Sequence, residues 1–273
     1  MNPRIDETEI VIFDTETTGL EPKSGDRVIE LAAVRFKGAK RLATFESFLN
    51  PRRPVSEAAF RVNRISAEML QDAPDAAEVL PRFMEFIQGS CLCSYNAGFD
   101  LGFLNNELVL IGSSPLENFP VVDILKMARR LLPGMERYPL WFVARHLGVT
   151  ASQEHRAMSD VEMTLEVFWR LKNLLDLKGI VDFSNFTGLF GLKSGSLEDS
   201  HNQKIAEIQR AIDQKLKIKI KYLSTSTAVV TEREVIPREI RKENRQNYLV
   251  GYCCLKNDER NFRLDGILHL EIS

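Results

Sequence analysis

The stretch Ile10–Leu20, IVIFDTETTGL, runs apolar from Ile10 to Phe13, delivers Asp14 and Glu16, and breaks at Gly19. It reads as a buried strand ending in a charged tip. Side chains alternate along a strand, so Asp14 and Glu16 project to one face while Thr15 points to the other. Two carboxylates on one half-buried face repel each other. That is unfavourable unless a positive charge sits between them, and a divalent cation with hard oxygen ligands is the usual answer.

The totals bound what surrounds this tip. At 273 residues, 44% hydrophobic and 27% charged, the chain has the composition of an ordinary globular protein with room for one large domain or two. No apolar run approaches the ~18 residues of a membrane span. The opening MNPRIDETEI carries acids and a proline where a signal peptide needs an apolar core. The expectation is a cytoplasmic protein with no membrane partner. Cys91, Cys93, Cys253 and Cys254 show neither zinc-ligand spacing nor a disulfide framework. From His201 onward there are 14 Lys and Arg against 10 Asp and Glu, leaving 22 against 28 upstream. An acidic front does not exclude a polyanionic substrate, because carboxylates gathered around metals are neutralised in use.

Moving outward, the turn-rich EPKSGDR is followed by VIELAAVRF and RLATFESFLN, which with the first strand form a three-strand meander. Glu30, alone in its apolar run, reads either as an acid that supports the site from behind or as a strand-edge residue, and the edge is favoured. From Ser56 to Ile87 the spacing turns helical. CLCSYNAGFDLGFLNNEL begins as a strand and continues as a helix, with Asp100 at the changeover, a position that also suits a carboxylate at the positive end of a helix. VVDILKMARRLL repeats the design with Asp123. Pro139 to Leu147 reads as a helix, and EHRAMSDVEMTLEVFWRLKNLL begins another, with His155 just before it and Asp160 in its early turns.

Together these motifs resemble the DEDDh exonuclease family, the proofreading-subunit and RNase T group, from about Ile10 to Leu175. FDTETTGL is similar to its first motif, NAGFDLGFL to its second and HRAMSDVEMT to its third. The resemblance implies an α/β, RNase H-like fold with a mixed central sheet flanked by helices. It also implies hydrolysis from a free 3′ end to nucleoside 5′-monophosphates with two divalent metal ions, Mg²⁺ or Mn²⁺. Asp14, Glu16, Asp100 and Asp160 would hold the metals, and His155 would take the proton from the attacking water. Thr17, Gly19 and Leu20 would line the terminal-nucleotide pocket, with Asn96 and Phe99 beside it. Two departures stand out: Tyr95 replaces a frequent histidine, and Arg64 a frequent glycine.

From Gly179 to Asn202 periodicity fades and Gly, Ser and Asn accumulate, which reads as a linker. Its phenylalanines and leucines predict that it packs on a domain or a partner chain. IAEIQRAIDQKL then reads as an amphipathic helix and the remainder as short strands of a small antiparallel barrel. This tail resembles a WYL domain. The resemblance implies a Sm/SH3-like barrel that binds nucleic acid or a nucleotide ligand, through Tyr222, Arg233, Arg238, Tyr248 and Arg263. Asn247 replaces the family's tryptophan and Gly266 a common arginine. The expected organisation is an exonuclease domain over 1–178, a linker over 179–202 and a WYL-like domain over 203–273. The expected activity favours single-stranded DNA; the alternatives are an exoribonuclease and a non-catalytic regulator. A homo-oligomer and a polymerase or repair partner both stay open.

Overall fold

The computed structural model of the chain describes residues 3–117, 119–150, 155–192, 195–244 and 246–273. Its first sheet is built from β1 (Glu9–Thr17), β2 (Val28–Lys37), β3 (Lys40–Phe48), β4 (Cys91–Ser94) and β5 (Val121–Asp123), in the order β3-β2-β1-β4-β5. The expected meander is the antiparallel half, and β4 joins β1 in parallel. The sheet is therefore mixed, and β1 lies at its centre. Period-two alternation sorts its residues between two cores. Ile10 and Ile12 bury against one set of helices, and Val11 and Phe13 against another.

The helices are α1 (Glu57–Asn63), α2 (Ala67–Leu70), α3 (Ala76–Ile87), α4 (Ala97–Leu110), α5 (Ile124–Leu131), α6 (Leu140–His146), α7 (Ala157–Leu177), α8 (Phe183–Phe190) and α9 (Gly195–Asp213). Helices α3 and α4 supply Phe83, Phe103 and Leu104 to the Val11–Phe13 side. Helices α5, α7 and α8 supply Met127, Phe168 and Phe186 to the Ile10–Ile12 side. The segment expected as a linker thus contains a helix, and its Phe186 and Phe190 are fully buried. Periodicity was not recognised there because α8 is only eight residues long and carries Ser, Asn, Thr and Gly between its apolar positions. The predicted packing is what the structure shows.

The C-terminal strands are β6 (Ile218–Leu223), β7 (Val230–Glu243), β8 (Gln246–Cys253), β9 (Asp258–Arg263) and β10 (Ile267–Ile272), ordered β10-β6-β7-β8-β9 and antiparallel throughout. The expected closed barrel is not formed. Among the described residues β9 and β10 do not pair, and a short 3-10 turn, Leu264–Gly266, separates them. Ile208 and Ala211 of α9 are fully buried with Ile218, Val235 and Phe262. The helix covers this core, so the sheet need not close to bury it.

The two parts share a junction. Leu223 and Leu268 of the second sheet are buried with the α5–α7–α8 core of the first. Arg130 of α5, 5% exposed, places Nη1 3.3 Å from Asp265 Oδ1, while Arg263 donates to the same carboxylate from Nε at 3.1 Å and Nη2 at 2.6 Å. A Cβ at residue 266 would lie 2.8 Å from Arg130 Nη2 and 2.6 Å from Tyr222 Cε2. Glycine at 266 leaves room for a guanidinium that comes from the other domain.

This arrangement predicts an asymmetry between partners. Asp265→Asn leaves Arg130 buried without a counter-charge and is expected to cost roughly 3 kcal/mol. Arg130→Met keeps the packing and leaves Asp265 paired with Arg263, so its cost should stay under about 1 kcal/mol. Urea midpoints for the two variants test this; equal losses would contradict it.

Candidate active site

Asp14 and Glu16 stand on the Ile10–Ile12 face of β1, the face that α7 covers. Asp160 lies in the first turns of α7 and is 7% exposed. Each of the three offers a carboxylate oxygen, and these oxygens all lie within 4.8 Å of one another. Asp100 approaches from the other side, because α4 packs on the opposite face of the sheet. Its Oδ1 accepts from the backbone N–H of Thr15 at 3.0 Å and from Thr15 Oγ1 at 2.7 Å, and its Oδ2 accepts from Ser94 Oγ at 2.6 Å. Thr15, the residue that alternation turns away from Asp14, is what fixes Asp100 beside the cluster.

The electrostatics follow from this crowding. Burial, then the carboxylates of Asp100, Asp160 and Glu16, hold Asp14 well above the usual carboxylate range. Glu16 is pushed up to about 8 by burial and by Asp160 and Glu30, against a hydrogen bond from Asn63 that favours its charged form. Asp100 rises less, to about 6, because the Ser94 and Thr15 hydrogen bonds oppose its burial. Uncompensated acids this close are costly, and an oxygen-rich cluster of this kind fits a hard divalent cation.

Other residues frame the tip. Thr17 Oγ1 donates to Gly19 O at 2.5 Å, and a Cβ on Gly19 would stand 2.2 Å from Asp26 Oδ2. Any side chain there would displace the Asp26 carboxylate. Leu20 is 75% exposed beside it. Asn96 has φ 71°, caps α4 and donates its N–H to Asp123 Oδ1, which also caps α5. Phe99 packs on Phe103 with centroids 4.9 Å apart. Tyr95 donates its hydroxyl to Tyr138 O at 2.7 Å. Arg64 holds the left-handed φ of 58° that its helix end requires, a conformation that favours glycine. His155 is exposed at φ 51°, directly before the first residue of the α7 cap.

Two further residues frame the site, one unassigned in the sequence and one placed elsewhere by it. Asn63, 2% exposed, donates to Thr17 O at 3.4 Å and supports Glu16; nothing in VNRIS signalled that reach. Glu30, expected at a strand edge, is instead 1% exposed in β2 directly opposite Glu16. It accepts from Arg156 Nη2 at 2.6 Å and Nε at 3.0 Å, and from the N–H of Ala157 at 3.0 Å. An acid in an apolar run whose cross-strand neighbour is also an acid was the available signal.

The C-terminal candidates do not form one site. Tyr222 is buried edge-on against Phe262 and takes a hydrogen bond from the Arg263 backbone. Tyr248 pairs across strands with Arg263. Arg233 instead bonds Thr231 at 3.0 Å, and the exposed Arg238 pairs with Glu259.

A mixed sheet whose central strand ends in two acids, joined by a third from a packed helix, makes a carboxylate cluster that could hold a divalent metal ion. The RNase_T model, described as Exonuclease, matches residues 11–168, and the WYL domain model matches residues 203–272. The chain belongs to the RNase T exonuclease family and carries a C-terminal WYL domain. It is similar to the PolC-type DNA polymerase III of Oceanobacillus iheyensis, 34% identical over 255 residues, covering 92% of this chain and 17% of that protein. The PolC-type polymerase of Clostridium perfringens is 32% identical over 251 residues, with 90% and 17% covered. The chain thus spans 17% of the length of these relatives. Among solved structures, product-bound exonuclease I has a TM-score of 0.55 at 15% identity, covering 95% of this chain and 64% of that one. The nuclease domain of 3′hExo, a DEDDh family member bound to rAMP, has a TM-score of 0.54 at 18% identity, with 62% and 93% covered. These two likenesses are of fold. The chain thus belongs to a family described as exonucleases, and no described helix is long and apolar enough to cross a membrane.

The raised carboxylates carry a pH prediction. Glu16 binds a proton more tightly when folded, so its contribution is present at low pH and is lost as pH rises from about 4.5 toward about 8. Melting temperature in chelator should therefore fall across that window, and Mn²⁺ should restore more at pH 8 than at pH 5.5, where protons compete. A Glu16→Gln variant should flatten the fall. A melting temperature that rises across the window in chelator would contradict the assignment.

Proposed function

We propose that this chain removes nucleotides from the 3′ end of nucleic acid, with single-stranded DNA favoured, and releases nucleoside 5′-monophosphates. The observation that carries the reading is the convergence of Asp14, Glu16 and Asp160 within 4.8 Å, with Asp100 fixed behind them by Thr15 and Ser94. These four carboxylates would hold two divalent ions, Mg²⁺ or Mn²⁺. Bound there, such ions supply Lewis-acid stabilisation of charge on the phosphate and ease deprotonation of water.

The chain's own groups do the rest. His155, exposed two residues before α7, accepts the proton of the attacking water, a role that suits an imidazole. Leu20 presents an apolar side chain for the terminal base. Thr17 and Gly19 hold the loop in which the 3′-terminal nucleotide sits, and Asn96 and Phe99 border it. The similarity to PolC-type DNA polymerase III supports the preference for DNA and a polymerase context. The C-terminal domain would hold the strand beyond the site, with exposed Arg238 the candidate for a phosphate contact.

End-labelled single-stranded DNA, duplex DNA and RNA, each with Mg²⁺ or Mn²⁺, test the substrate. Faster hydrolysis of RNA would replace DNA with RNA in this reading. Asp14→Asn or Asp160→Asn should abolish turnover while the protein stays folded, and near-native rates in either would overturn the metal assignment. His155→Ala should lower kcat by ~10² or more with partial recovery at higher pH. Arg238→Ala should reduce the salt dependence of binding to long single strands by ~0.7 in log–log slope.

A further inference from the structure

We propose that Glu30 and Arg156 are positioning residues for the exonuclease reaction: strand β2 grips the first turn of α7 through one carboxylate, and that grip sets where His155 and Asp160 stand. The inference rests on the functional reading above, and it concerns the residues that hold the reacting groups in place.

Glu30 touches α7 at two points. Arg156 donates to it in a fork, Nη2 to Oε1 at 2.6 Å and Nε to Oε2 at 3.0 Å, and the Ala157 N–H donates to Oε2 at 3.0 Å. A fork fixes the guanidinium plane, and the additional backbone bond fixes the start of the helix, so translation and twist are both constrained. The carboxylate also meets the positive end of a 21-residue helix. Arg156 is steadied from another side by Phe48, whose ring centroid is 5.2 Å from its Cζ.

What this anchor holds is the reacting pair. Asp160 lies four residues beyond Arg156, on the same side of the helix, and its N–H bonds the Arg156 carbonyl at 3.0 Å. His155 immediately precedes Arg156 in left-handed backbone at φ 51°. A non-glycine residue keeps that conformation only when its surroundings over-determine it. The fork on the next residue supplies that constraint.

A purely structural role is a poor account of a charge in this place. Glu30 is directly opposite Glu16 on the neighbouring strand and pushes both Glu16 and Asp14 toward protonation. Like charges facing each other across strands are destabilising, and an apolar residue at 30 would fit a fully buried sheet position better. Only an acid can accept the whole fork and the amide together, so the carboxylate is explained by what it holds.

The test uses the full-length protein and the variants Glu30→Gln, Glu30→Ala and Arg156→Lys. Each is checked for fold by circular dichroism, then assayed on a short single-stranded oligonucleotide across metal concentration and pH. Hydrogen exchange of the α7 first-turn amides is measured in the metal-free protein. The expected result is a kcat lower by ~10² in Glu30→Ala and by less in Glu30→Gln, with KM changed under ~3-fold. Amides at 157–160 should exchange faster in the same order, and the metal concentration for half activity should rise. Unchanged kcat and unchanged exchange in folded Glu30→Ala would overturn the inference. A loss confined to KM, steeper at high salt, would overturn it in favour of Arg156 as a phosphate contact. Wild-type protein inactive on all three nucleic acids would instead overturn the functional reading, while the exchange data would still report whether Glu30 holds the helix.

Discussion

Mutual repulsion among carboxylates at the end of β1 is the constraint to which the surrounding structure answers. Asp14, Glu16 and Asp160 meet within 4.8 Å, and Glu30 adds a fourth charge across the strand pair. No sequence would place these groups together for stability. The fold supports them by two means. Asp100 and Glu30 are saturated with hydrogen bonds, from Thr15 and Ser94 in one case and from Arg156 and Ala157 in the other. Asp14 and Glu16 remain raised in pKa and ready for a cation.

The sheet makes this separation of roles feasible. Because β1 is central and buried on both sides, its alternation addresses two different helices. Its even-numbered residues face α7, which brings Asp160, and its odd-numbered residues face α4, which brings Asp100. The site is therefore assembled from both faces around one strand end, beyond the last β4 partner at Ile12, while β2 still pairs with the strand through both acids. Large apolar side chains, Phe13, Phe83, Phe103 and Phe168 among them, make both faces rigid.

The domain junction uses the same economy of charge. Asp265 sits between Arg130 and Arg263, one from each domain, and its carboxyl is held below the usual range by both despite its burial. The volume that Gly266 leaves is taken by Arg130, so an arginine common at that place in WYL domains has its counterpart on α5. Tyr222 and Arg263, expected to meet a ligand, are engaged in this contact. Arg238 and Arg241 of β7 stay exposed, each paired with a glutamate.

Much of this was legible before any coordinates. FDTETTGL announced a buried strand with two acids on one face, because alternation is written along the chain, whereas the mixed sheet and the grouping of acids 14, 16, 100 and 160 were implied by the resemblance of three ordered motifs to the DEDDh family. The meander and the strand-to-helix changeovers at Asp100 and Asp123 were readable from local periodicity. What escaped depended on contacts between distant segments. Glu30 looked like an edge residue because nothing in VIELAAV reports that Arg156, 126 residues on, will lie against it. The helix in GIVDFSNFTGLF was hidden because it is only eight residues long and its Gly, Ser and Asn read as loop composition. The open second sheet could not be told from a barrel, since strand alternation is identical in both and only the placement of α9 over the core removes the need for closure. Whether Asp100 joined the other three acids or stood behind them was likewise decided by packing, through a threonine whose direction the strand fixed and whose partner only the fold could bring near.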